Sequence, residues 1–120
     1  MSIASLINLL RSTRIDPFVE KNAQQQLETA LANAGFNFRR EHHLSATDIA
    51  DFLVLLDGES IAIELKGKVK HRKAVYRQLE RYTEHSDVSS IILLTASSMR
   101  LPAQINSKPA YVVSIGEGWL

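Results

Sequence analysis

The chain contains no cysteine. Disulfides and thiolate-bound metals are therefore excluded, and the lack of thiols fits a reducing, cytoplasmic setting. An excess of charge of one sign is also missing. Fourteen Lys and Arg stand against 13 Asp and Glu, a formal net charge of +1. Any affinity for nucleic acid must then come from a local patch. The apolar residues of the opening MSIASLINLLRSTR are broken by Ser and Asn, and Arg11 and Arg14 follow them. The segment is a poor signal peptide and too short to span a membrane, so no membrane partner is expected. Repeats, linkers, low-complexity tracts, a helix-turn-helix and zinc-finger spacing are all absent.

What is present suits one globular domain over residues 1–120. The chain is 45% hydrophobic and 22% charged, long enough for a real core without staples. Residues 2–11 carry Ile3, Leu6, Ile7 and Leu10 at helical spacing. Asp16-Pro17 has the form of a helix start, with Asp as N-cap and Pro in the first turn. Ala23, Leu27, Ala30, Leu31 and Ala34 then share one face, and Gly35 is placed to end the helix. Phe36 to Leu44 predicts a strand. Residues 51–56 predict a buried one, followed by the hairpin turn Asp57-Gly58 and a partner strand over 60–66. A polar helix over 71–86 and a buried strand over 89–95 follow. Residues 96–109, with Pro102 and Pro109, predict a loop, and 110–115 a last strand. The fold class expected is α/β, a mixed sheet with helices packed on it.

Chemistry concentrates at one place. Asp51 heads a buried strand, and Glu64 and Lys66 sit near the end of the next. Side chains alternate along a strand, so Glu64 and Lys66 share a face and Leu65 takes the other. The hairpin brings Asp51 and the Glu64-Leu65-Lys66 segment to the same end of the sheet. Carboxylate oxygens are ligands of the kind Mg²⁺ or Mn²⁺ prefer. A lysine beside them can hold or deprotonate water, or stabilise developing charge. The expected metal ligands are Asp51, Glu64 and the backbone carbonyl of Leu65. Asp48 is a weaker candidate because it does not head the strand. His42 and His43 have no ligand spacing and read as strand-end polar residues.

The segment DFLVLLDGESIAIELK, an Asp, twelve residues, then Glu-x-Lys, resembles the core of the PD-(D/E)XK nuclease superfamily. The order helix, three strands, helix, strand over roughly residues 18–95 resembles it too, although Ala50 stands where the namesake proline would. The resemblance implies a restriction-endonuclease-like αβββαβ core and Mg²⁺- or Mn²⁺-dependent hydrolysis of DNA, with Asp51, Glu64 and Lys66 catalytic. Gln78 and Tyr82, one helical turn apart in RQLERY, resemble the Q-x3-Y element of RecB-like members, which lines the active site and touches the DNA backbone. Members also often carry a glutamate on the first helix. Glu20, about 20° from Leu27 on the helical wheel, is the first choice for that role, and Glu28, about 100° away, the reserve. Lys66, Lys68, Lys70, Arg72, Lys73, Arg77 and Arg81, against Glu80 alone, read as a phosphate track.

Bland readings accompany these. Tyr82 is equally a core aromatic, Glu20 a solvated first-turn acid, and the basic run a solvated face. A plain ion pair of Glu64 with Lys66 or Lys68 is the structural reading of the motif. A nuclease fold that binds DNA without cutting it is the second functional reading. The apolar ends, with Trp119 and Leu120, call for either folding back over the sheet or a symmetric homodimer.

Overall fold

The computed structural model describes residues 1–115, so Trp119 and Leu120 lie outside the described residues. The chain forms α1 (Ile3–Ser12), α2 (Glu20–Asn33), β1 (Asn37–His43), β2 (Ile49–Leu56), β3 (Glu59–Lys66), α3 (Arg72–Thr83), β4 (Ser90–Thr95), β5 (Gln104–Ile105) and β6 (Lys108–Ser114). Local chemistry sets most boundaries. Ser2 and Ser5 cap the first turn of α1 reciprocally. Gly35, at φ +81°, ends α2 in a Schellman turn: the Phe36 amide donates to the Leu31 carbonyl and the Gly35 amide to that of Ala32. Asp57 and Gly58, both at positive φ, close the β2–β3 hairpin.

The six strands form one mixed sheet in the order β1-β2-β3-β4-β6-β5. The first three are antiparallel neighbours, whereas β4 runs parallel to β3 and to β6. Each face of the sheet has its own apolar layer. Leu6, Leu10, Ala23, Leu27 and Leu31 pack on Phe52, Val54, Ile61, Ile63, Leu65, Ile92 and Leu94. Val75, Leu79 and Tyr82 pack on Leu53, Ala62, Ile91 and Leu93. The alternation Ile61-Ile63-Leu65 against Ala62-Glu64-Lys66 thus turns the acid and the lysine of β3 towards α3. The apolar stripe of α1 is spent on the chain's own core: Leu6 and Leu10 are buried, and Ile3 and Ile7 pack against the same cluster. Among the described residues no helix is long and apolar enough to cross a membrane.

Two sequence expectations need correction. Asp16 does not cap α2. Its Oδ1 accepts the amides of Phe18 and Val19, forming a side-chain-closed turn, and the helix begins later, with Val19 at the N-cap. The stretch 96–109 is not all loop either. Asn106 and Ser107, both at positive φ, make a tight turn that pairs β5 with β6. Asn tolerates that conformation, but Asn-Ser is a weaker turn signal than Asn-Gly.

Candidate active site

The site forms where β2 leaves both of its neighbours. Pairing with β3 ends at Phe52–Ile63. Pairing with β1 lapses between Arg40–Phe52 and His42–Ala50, because Glu41 adopts a left-handed φ of +47° opposite Asp51. The break turns Ala50 to the same apolar layer as Leu53, three residues on, which a regular strand cannot do. Asp51 is left outside both ladders, and its Oδ2 accepts the Leu65 amide at 2.8 Å. In an extended strand the N–H and C=O of one residue point to the same edge. The Leu65 carbonyl therefore also points to the Asp51 side, beyond the last β2–β3 pair.

Glu64 is 4% exposed, with two partners at Oε2 and one at Oε1. Lys66 Nζ lies 3.3 Å from Oε2. Gln78 Nε2 donates to Oε2 at 3.1 Å and to Tyr82 Oη at 2.9 Å. Tyr82 Oη donates to the Ile49 carbonyl at 2.7 Å and lies 3.2 Å from Glu64 Oε1. Tyr82 is thus a core aromatic whose hydroxyl is aimed at the acid, and Gln78 is not merely solvated. Spacing of one helical turn puts both on the face of α3 that covers β3.

Burial dominates the electrostatics. It pushes the Asp51 carboxyl above the ordinary carboxylate range, against the Leu65 amide and the Lys66 ammonium, and the charge of Glu20 adds to the rise. Burial and then the Asp51 charge push Glu64 up to about 7, with Lys66 opposing. The Tyr82 hydroxyl is pushed up by burial and by Glu64, so it stays a neutral donor. Two carboxylates forced together in a low dielectric are unfavourable without further positive charge. Oxygen donors of this kind fit a hard divalent cation, and Mg²⁺ commonly takes one or two carboxylates and completes its shell with water and phosphate. Among the described residues no group of three or more His, Asp or Glu is placed to hold a metal. The oxygens brought to this point of the sheet are the Asp51 and Glu64 carboxyls and, on the edge that carries the Leu65 amide, the Leu65 carbonyl.

Glu20 is not on a buried stripe. It is the first residue of α2, is exposed, and lies on the rim of a cleft of about 350 Å³. Its angular position matches Leu27, but the helix end opens on the cleft instead of the core. Its charge still acts on Asp51. Glu28 pairs with Arg40 at 2.6 Å and faces β1, so the geometry brings Glu20 and not Glu28 to the site. Asp48 is held by Arg81 at 3.1 Å and His85 at 3.2 Å, which keep its carboxyl below the ordinary range. His42 lies 3.8 Å from Asp87, and His43 is exposed.

The basic run divides. Lys70, Lys73 and Arg77 are exposed. Arg72 donates to the Ser98 carbonyl at 2.6 Å, Arg81 is committed to Asp48, and the Lys68 ammonium lies 5.8 Å from the Phe18 ring centre. Sequence reasoning passed over Phe18, Gly67 and His85. A β-carbon on Gly67 would overlap the Pro17 carbonyl oxygen, so this glycine lets the 16–18 turn close against the end of β3. Comparison of the chain with protein-family models, with curated protein sequences and with solved structures gave no match.

Proposed function

We propose that the chain is a metal-dependent nuclease that hydrolyses phosphodiester bonds in DNA, built on a restriction-endonuclease-like core of the PD-(D/E)XK kind. The observation that carries this reading is the convergence of Asp51, Glu64 and Lys66 at the point where β2 parts from β3. Glu64 is oriented by Gln78 and Tyr82, the pair that resembles the RecB-like element. A plain ion pair accounts for Lys66 beside Glu64. It gives no reason for a second carboxyl, Asp51, held in the same half-buried place.

Asp51, Glu64 and the Leu65 carbonyl would hold Mg²⁺ or Mn²⁺, which would supply Lewis-acid chemistry for phosphate and water there. The chain's own groups do the rest. The Leu65 amide fixes the Asp51 carboxylate, and the Tyr82 hydroxyl and Gln78 amide fix that of Glu64. The Lys66 ammonium, placed beside Glu64, donates a hydrogen bond that holds the attacking water. As water adds to phosphorus, the bond to the leaving sugar oxygen breaks; the proton of the attacking water passes to bulk water, and the leaving oxygen takes a proton from bulk water. The Lys66 ammonium, 3.3 Å from Glu64, also offsets charge developing on the phosphate. Lys70, Lys73 and Arg77 supply exposed positive charge along the start of α3 for neighbouring phosphates. The test is incubation with labelled single-stranded, duplex and branched DNA, with and without Mn²⁺. Cleavage is expected only with metal and is expected to vanish in Asp51→Asn.

A further inference from the structure

Beside the acidic pair, on the α2 side of the sheet, lies the cleft whose rim carries Glu20. Its floor is apolar, formed by Ala23 and Leu65. One wall is the Asp16-Pro17-Phe18 turn and the other is Lys66-Gly67-Lys68. The turn is held firmly: Asp16 Oδ1 accepts the Phe18 and Val19 amides, Gln26 accepts the Asp16 amide, and Pro17 abuts Gly67. This fixed turn presents Phe18 with 78% of its surface exposed. Single exposed apolar residues are ordinary. This one stands at the mouth of a cleft that shares Lys66 and Leu65 with the acidic site, and a lysine ammonium lies 5.8 Å from its ring centre.

We propose that the cleft is a nucleobase subsite, in which Phe18 stacks an unpaired base next to the phosphate that would sit beside Lys66. The proposal rests on the nuclease reading for the position of that phosphate and narrows its substrate to strands with unpaired bases. An aromatic ring offers a stacking surface that every base can use, whatever the sequence. A base inside a duplex has both faces covered by its neighbours and cannot reach a ring on a rigid turn. Lys68, beside the ring, supplies positive charge for a flanking phosphate, and Lys66, whose ammonium lies at Glu64, lines the same cleft. The exposed Phe18 ring is the apolar surface open to the base, and the exposed Glu20 carboxylate at the rim disfavours a phosphate there.

The experiment is fluorescence titration of the full chain into a single-stranded oligodeoxynucleotide carrying one 2-aminopurine, in buffer free of divalent metal so that no strand is cut. Stacking on Phe18 quenches the probe. Phe18→Ala is expected to remove the quench and weaken binding about five- to hundredfold, while Phe18→Tyr, which keeps a ring, retains both. The side chain is exposed, so circular dichroism should be the same for all three proteins. A quench of equal depth in Phe18→Ala, or no quench by the wild type, overturns the subsite. Hydrolysis is read separately, by adding Mn²⁺ to the same mixtures. If the Phe18-dependent quench is present but no strand is cut, the base subsite stands and the nuclease reading falls.

Discussion

The backbone amide of Leu65 donates to Asp51 Oδ2 at 2.8 Å, at a point where β2 and β3 have already stopped pairing. A side chain has taken the place of a ladder partner. The exchange keeps the Leu65 amide satisfied and draws the Asp51 carboxyl in beside that of Glu64. It also leaves the Leu65 carbonyl without its ladder partner on that edge.

Metal binding should depend on Asp51 without the fold doing so. Asn at position 51 can still accept the Leu65 amide through its carbonyl, so the strand geometry survives, but a hard anionic ligand is lost. Calorimetric titration of Mn²⁺ should show binding to wild type and none, or far weaker binding, to Asp51→Asn. Equal binding by the two would remove Asp51 from the metal site.

The metal-free protein should lose stability as pH rises towards neutrality. Glu64 ionises near 4.5 when unfolded and at about 7 when folded. Between these values the folded state binds the extra proton, so the Glu64 contribution to stability is full below about 4.5 and is lost as pH rises to about 7. Asp51, also raised by burial, contributes with the same sign. Glu64→Gln removes the Glu64 contribution and should melt at a higher temperature than wild type above pH 7. Melting curves from pH 4 to 9 for both proteins check this, and parallel pH profiles would refute it.

DNA affinity should fall steeply with salt through Lys70, Lys73 and Arg77. Arg72 is left out because its guanidinium is committed to the Ser98 carbonyl. Each lost phosphate contact lowers the log–log slope by about 0.7 on single strands and 0.9 on duplex. Reversing all three charges should therefore flatten the slope by about two on single strands and nearly three on duplex. An unchanged slope places the phosphate track elsewhere.

Gly67→Ala should loosen the cleft wall more than it harms the sheet. The added methyl overlaps the Pro17 carbonyl oxygen, and backbone can yield only by moving the turn. Overpacking of this kind typically costs ~1–3 kcal/mol. Thermal melting should show that loss. Proteolysis should report faster cutting near residues 16–19, and a protein as stable and resistant as wild type would contradict the close approach.

Features set by short-range spacing were legible in the sequence. The β2–β3 hairpin, the shared face of Glu64 and Lys66, and the one-turn spacing of Gln78 and Tyr82 each depend on a few neighbouring residues. Features set by distant backbone were not. The position of Asp51 depends on Glu41 taking a left-handed conformation across the sheet, which nothing near residue 51 signals. Asp16-Pro17 carries the same residue types as a helix cap and a closed turn, and the turn is held by contacts that lie outside the dipeptide, from Gln26 and Asn22 and by the close approach of Pro17 to Gly67. The commitment of Arg81 to Asp48 spans 33 residues, so in the linear chain Arg81 reads as part of the phosphate track.

The central claim is that Lys66 and the two acids beside it form a hydrolytic centre, and the most direct measurement is single-turnover cleavage of labelled single-stranded DNA in Mn²⁺ by wild type and Lys66→Ala. Lys66 is partly exposed at the end of β3, so the variant should fold and bind DNA much as wild type does. The account predicts metal-dependent cutting by wild type and a rate lower by ~10²–10⁴-fold in the variant, the usual loss for a missing proton-transfer or charge-stabilising group. Cleavage by Lys66→Ala at close to the wild-type rate, or no cleavage by wild type of single-stranded, duplex or branched DNA, would contradict it.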